Sequence, residues 1–306
     1  MSSQSVLFDY PGPKARRRHL LTGIVGGLLL LALLVGLVWG LRAQLAPTKW
    51  APLQYTDTWT AYFLPGLLNT IKAAALAVIT STVLGLILGI LRLSPIRIIS
   101  WLSMAFVEFF RSVPVLMMML FAYYALLNAK LLTGDALSLA GVVIGLTLYN
   151  SSVMAELIRA GVHALPAGQR EAGMAIGLRP NQVLTSILLP QSISAMLPSL
   201  VSQLVVILKD TALGYLITYP DLLRSAQYVD AVYGNLVVGF LVVGIIFFVL
   251  NWSLTRFAHW LESSMRSHRA PDTLAVVDDT TLLNPEGLPA EDLGLSPISG
   301  MGSHTS

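Results

Sequence analysis

Residues 163–191 read HALPAGQREAGMAIGLRPNQVLTSILLPQ, and they interrupt a series of long apolar runs. The segment is too polar to cross a bilayer and too apolar to be a plain linker. Ala172, Met174, Ile176, Leu178, Val183, Leu184, Ile187 and Leu188 are apolar, and Pro166, Gly177, Pro180 and Pro190 divide them. Gly177 can close one short helix in a left-handed cap, and Pro180 can open another at its first position. The spacing predicts two short helices at a membrane surface, with an apolar face open to a protein partner. Glu171 is expected in the first turn of the first helix, where its charge complements the helix dipole. It is also placed to pair with Arg170, with Arg179 or with a basic group on a partner.

On either side of this segment the chain is apolar. Of its 306 residues, 55% are hydrophobic and 11% charged, against about 25% charged in an ordinary soluble domain. A spanning helix needs about 20 mostly apolar residues. That ruler marks six spans, at 20–42, 64–91, 98–127, 137–158, 194–217 and 234–258. The expected fold is all-α: a polytopic membrane protein with about six transmembrane helices and a helical loop at 165–190. The first run is too long for a signal peptide and lacks a small-x-small site after it, so it is read as a retained helix. There is no cysteine, which excludes disulfides, thiol nucleophiles and Cys-based metal sites. The basic residues are scattered over short loops, so no nucleic-acid-binding surface is expected.

Lys and Arg concentrate in cytoplasmic loops. With the N-terminus inside, Lys14, Arg16, Arg17, Arg18, Arg92, Arg97, Arg159, Arg170, Arg179, Arg256, Arg266 and Arg269 fall inside. Only Arg42, Lys49, Lys130 and Arg224 fall outside, so both termini and the 165–190 loop are expected in the cytoplasm. Trp39, Trp50 and Trp59 would mark one interface, and Trp101, Trp252 and Trp260 the other. Residues 1–19 read as a cytoplasmic tail. Residues 270–306 carry six acidic residues and no Lys or Arg, and read as a disordered acidic tail.

Within the loop, Glu171-Ala172-Gly173, Gly177, Ile187 and Leu189-Pro190 are spaced like the EAA signature of permease subunits of bacterial ATP-binding-cassette (ABC) importers. The family pattern has Ala where this chain has Gly173. Further stretches resemble the polar amino-acid permeases: residues 65–70 (PGLLNT), 109–114 (FFRSVP), 155–161 (AELIRAG), Gly168-Gln169 and 208–213 (LKDTAL). The likeness covers about residues 60–260 and is greatest to actinobacterial glutamate-type permeases. It implies a multi-pass subunit of the bacterial plasma membrane that takes up a polar amino acid, glutamate or a related one. It further implies a second permease subunit, two ABC ATPase subunits and an extracytoplasmic substrate-binding protein. Gly168, Gln169, Glu171, Ala172, Gly173, Gly177, Ile187, Leu189 and Pro190 would form the ATPase-coupling loop. The chain holds no G-x-x-x-x-G-K-[ST]. ATP and Mg would therefore be used by the separate ATPase, and no cofactor or metal is expected on this chain.

Ionisable groups inside spans are costly and often functional. Arg111 is expected near the middle of the third span, beside Ser112 and the helix-breaking Pro114. Glu156 and Arg159 share a face at the end of the fourth span. Lys209, Asp210 and Thr211 lie in the outer half of the fifth. An amino acid needs a cation for its carboxylate and an anion for its ammonium, and these residues supply both. They compete with a purely structural role, in which Glu156 pairs with Arg159 and Lys209 pairs locally. Asn150, Ser151, Ser152 and Gln203 are secondary pathway candidates. An intramembrane enzyme is disfavoured: no histidine lies mid-span, and neither H-E-x-x-H nor G-x-S-x-G occurs. The stronger rival is an ion-gradient-driven secondary amino-acid transporter, although no internal repeat supports it.

Overall fold

In lipid a backbone must satisfy its own hydrogen bonds, so apolar runs of this length fold as helices. A computed structural model describes residues 12–267, and every regular element among them is helical. The helices are α1 (Pro13–Gly40), α2 (Pro47–Trp50), α3 (Leu64–Arg92), α4 (Arg97–Ser112), α5 (Val115–Asn128) and α6 (Gly134–His163). They continue with α7 (Ala167–Ala175), α8 (Pro180–Val183), α9 (Leu189–Asp210), α10 (Leu222–Tyr233) and α11 (Leu236–Ser267). Residues 1–11 and the acidic segment 270–306 lie outside the described residues. The chain divides into Met1–Trp260 and Leu261–Ser306, and the second unit is described only through the end of α11.

Among the described residues, five segments are long and apolar enough to cross a membrane: Lys14–Gly40, Thr58–Arg92, Gly134–His163, Pro180–Ile217 and Leu236–Phe257. The expected third span is different. It breaks at Pro114 into α4 and α5, which are bent by 102°. Ser100 Oγ donates to the Arg92 carbonyl (2.7 Å) and Ser103 Oγ to the Leu88 carbonyl (2.9 Å). Glu108, further along α4, still meets Arg92. A stretch of α4 about 12 Å long thus stays within one turn of α3. Helix α4 therefore lies across the ends of α3 and α6, with Ile98, Trp101, Leu102 and Phe109 exposed on its outer side. Helix α5 runs antiparallel to α6, and at about 21 Å it falls short of the hydrocarbon thickness.

The expected fifth span is longer than the apolar run suggested. Helix α8 passes through a wide turn at Leu184–Leu188 into α9, and a tight turn at Thr211–Ile217 follows. Only the first of the two expected surface helices is a separate element. Helix α10 was not anticipated at all.

Lipid is as apolar as leucine, so close packing rather than water exclusion holds membrane helices together. Helix α6 is central. Buried side chains make up 56% of its apolar window, against none of α1's. Gly85 of α3 faces Met154 and Ser151 of α6. Gly145 of α6 receives Met119 of α5, and Gly161 receives Met196 and Ser192 of α9. Ala73, Ala77, Met119, Val142, Leu146, Met154, Ile207, Ile217 and Tyr219 form the resulting core.

Helix α10 closes the end of the bundle opposite α7. Asp221 caps it, its Oδ1 accepting from Arg224 N–H at 2.7 Å. Thr70 Oγ1 accepts from Leu222 N–H, and Tyr219 donates to the Asn69 carbonyl. Asp221 is fully buried and its Oδ2 has no hydrogen-bond partner. Burial pushes its carboxyl up to about 7, against the opposing pull of the Arg224 amide. The folded form then holds a proton that the unfolded chain, with an ordinary value near 3.8, has released. Stability contributed at this site is full below about pH 4 and is lost as pH rises toward 7. The protection of α10 amides in detergent, taken as the exchange rate relative to the intrinsic rate at the same pH, is expected to be greater at pH 5 than at pH 7.5. Asp221→Asn, which keeps the cap, should abolish that difference. A wild-type difference of the opposite sign would contradict the assignment.

Candidate functional site

Helix α6 ends at His163, and Pro166 is the N-cap of α7. Helix α7 ends where Gly177 turns left-handed at φ +86°. There the Leu178 amide returns to the Gly173 carbonyl and the Gly177 amide to the Met174 carbonyl. This double closure needs positive φ, which glycine adopts without strain. Gly173 is buried, and a Cβ there would stand 3.0 Å from both Val183 and Ile187. The small side chain seats α7 on α8 and the wide turn. Val162, Val183, Leu184 and Leu188 are buried beneath, with Leu178 and Ile187 packed against them.

The opposite face of α7 is open. Gly168, Gln169, Arg170, Glu171, Ala172, Met174 and Ile176 are exposed, Ile176 to 76%. Glu171 lies in the second turn of α7, not the first, so the dipole argument for it fails. It makes no ion pair with Arg170 or Arg179. Gln169 and Gln191 side chains meet at 3.3 Å. Leu189 is buried and Pro190 exposed at the start of α9. A groove of about 280 Å³ runs beside α7, lined by His163, Pro166, Arg170, Glu171 and Met174 among others. Exposed apolar side chains flanked by an unpaired Arg and Glu on a rigid short helix suit a protein partner.

Three of the charges expected inside the membrane, Arg111, Glu156 and Arg159, join Arg92 and Glu108 in a cluster at this same end. Glu156 Oε2 lies 2.6 Å from Arg92 Nη1, off the axis of a hydrogen bond, and Glu156 Oε1 accepts from Arg159 Nη2 at 2.6 Å. Glu108 accepts from Arg92 at 2.9 Å and from Arg111 at 3.0 Å. Arg111 Nη1 stands 4.0 Å from Glu156. The cluster fastens α3, α4 and α6 together. It places Arg111 beside the last residue of α3 and not at mid-span, which corrects the expectation. Ser112 donates to the Glu108 carbonyl, and Pro114 is the N-cap of α5, one residue past the end cap of α4.

Asn150, Ser151 and Ser152 are fully buried in α6. The two serines donate to the Leu148 carbonyl and Asn150 to that of Leu146. Asn150 Oδ1 accepts from Gln203 at 2.6 Å, so these two candidates do come together across α6 and α9. Thr211 donates to the Leu208 carbonyl. Lys209 makes no ion pair among the described residues. It lines a cleft of about 530 Å³ with Phe247, Phe248, Asn251 and Trp252 of α11. No hydrogen bond or ion pair joins Lys209 or Asp210 to the arginine–glutamate cluster. Arg92 and Glu108 were missed because one was assigned to a loop and the other to a continuous span. A charge at each end of a short apolar interval was the available signal.

Residues 81–267 match the family described as binding-protein-dependent transport system inner membrane component. The chain belongs to this family. Such permeases are multi-pass proteins of the plasma membrane and serve as translocation subunits of ABC importers. The glutamate transport system permease of Corynebacterium glutamicum is 45% identical over 229 residues, covering 75% of this chain and 84% of that protein. A probable glutamine ABC transporter permease of Bacillus subtilis is 33% identical over 215 residues, covering 68% and 95%. A crystal structure of an amino acid ABC transporter with histidines superposes with TM-score 0.61 at 27% identity, covering 70% of this permease and 97% of that chain.

Proposed function

We propose that this permease imports glutamate or a closely related amino acid, with α7 as the element through which a separate ATPase drives it. The substrate reading rests on the corynebacterial relative, whose identity of 45% exceeds the 33% of the glutamine permease. Charge placement supports cytoplasmic termini and a cytoplasmic α7. Two ATPase subunits, using ATP and Mg, would then reach it from inside. A second permease and an extracytoplasmic binding protein complete the expected assembly.

One observation carries the coupling role. Helix α7 is pinned to α8 and the wide turn through Gly173, while Arg170, Glu171, Met174 and Ile176 stay uncovered. A pinned helix transmits a rigid-body push that a flexible loop would absorb. Reversing charge at Glu171 puts a second cation beside Arg170 on the docking face, where like-charge contacts cost several kcal/mol when buried. Glu171→Lys is expected to leave the permease inserted and to lower ATPase co-purification and uptake at least tenfold. Normal uptake by that variant would remove the coupling role from α7.

A further inference from the structure

The family match begins at residue 81, so α1 lies outside it. Helix α1 also has no role in the packing of the core, since none of its apolar window is buried. Yet four of the five positions 14–18 are Lys or Arg. Lys14, Arg16, Arg17 and Arg18 are all exposed, and none forms an ion pair among the described residues. Arg92, Arg111 and Arg159, by contrast, each face a glutamate.

The rest of α1 sets the depth of these cations. Its apolar run from Leu20 to Trp39 is about 30 Å long, which equals the hydrocarbon thickness. At the far end the Arg42 guanidinium lies 4.4 Å over the Trp39 ring. That pair suits the membrane–water interface. With Trp39 at one interface, residues 14–18 stand just beyond the other, level with the headgroups. Three of the four cations are arginines, whose planar fork fits a phosphate with two parallel hydrogen bonds. We propose that Lys14, Arg16, Arg17 and Arg18 form a binding collar for the phosphates of anionic phospholipids, held at headgroup depth by α1. A cation bound only for topology would need charge but would select no lipid.

The test uses the full-length chain reconstituted in mixed phosphatidylcholine–phosphatidylglycerol vesicles. After mild detergent extraction, native mass spectrometry reads the ratio of phosphatidylglycerol to phosphatidylcholine retained. Each basic residue near a charged surface contributes about 1 kcal/mol, or about fivefold. The K14Q/R16Q/R17Q/R18Q variant is expected to lose at least fivefold of the enrichment, and the R16K/R17K/R18K variant to keep part of it. An unchanged ratio in the glutamine variant would overturn the proposal. If that variant fails to insert, wild type decides. Raising ionic strength from about 0.1 M to about 1 M shortens the screening length from about 10 Å to about 3 Å. Enrichment should then fall severalfold, and enrichment indifferent to salt would overturn the proposal.

Discussion

Glu156→Gln is expected to destabilise the permease by about 2 kcal/mol, between the cost of breaking an exposed ion pair and that of a fully buried one. The reason is the count of charges. Three arginines face two glutamates in the cluster. Removing Glu156 leaves Arg92, Arg111 and Arg159 with Glu108 alone, and Arg92 is the most buried of them, its side chain 9% exposed. Arg159 donates to both Glu156 oxygens, and glutamine keeps only one acceptor, so one of these hydrogen bonds is lost. The size and hydrogen-bonding shape of glutamine make the substitution nearly isosteric, so the loss reads charge rather than packing. Thermal unfolding in detergent should show the drop. Adding Arg92→Gln should cost less than the sum of the two single changes, because the pair shares one interaction. Strict additivity would show that Arg92 and Glu156 do not interact.

Gly145→Ala is expected to be nearly as severe. A Cβ at this position would stand 2.7 Å from the Met119 amide nitrogen and 2.8 Å from its Cα. Those are backbone atoms of α5, so the helices must separate or α5 must shift. Overpacking of this kind costs about 1–3 kcal/mol or more, and α5 is also the short half of the bent pair. Gly173→Ala supplies the contrast. Its Cβ would meet only side-chain methyls of Val183 and Ile187, at 3.0 Å. Those methyls can give by a few tenths of an ångström, and alanine is the residue of the EAA pattern at this place. Gly173→Ala should therefore cost less than about 1 kcal/mol. Equal losses from the two variants, by thermal unfolding, would contradict the packing described for α5 and α6.

Most of the helical framework was legible because a run of about 20 apolar residues in lipid has one stable conformation. The loop was legible for a different reason. Gly177 and Pro180 each impose a backbone geometry, and both act where their chemistry requires. The bend between α4 and α5 was only half legible. Pro114 marked a break, and α4 is less apolar and more one-sided than α5, but nothing local encodes a turn of 102°. That angle comes from Ser100, Ser103 and Glu108 tying α4 across Leu88 and Arg92. Such contacts are tertiary, and their one periodic trace is the amphipathic pattern of α4. Helix α10 escaped notice because Leu222–Tyr233 is short and of mixed polarity. Asp221 before Leu222 was the available cap signal. The close helix packing also had a trace, in Gly85-x-x-x-Gly89 and Gly141-x-x-x-Gly145. Glu171 was assigned one turn too early because Pro166 is the N-cap and α7 already begins at Ala167.

ATP-driven import of glutamate is the centre of the account. The most direct test reconstitutes the permease with its co-purifying ATPase and binding protein in vesicles and follows labelled glutamate. Uptake is expected to require ATP and the binding protein, and to persist when ionophores collapse every ion gradient. Uptake that continues without ATP and stops with the ionophores would contradict it.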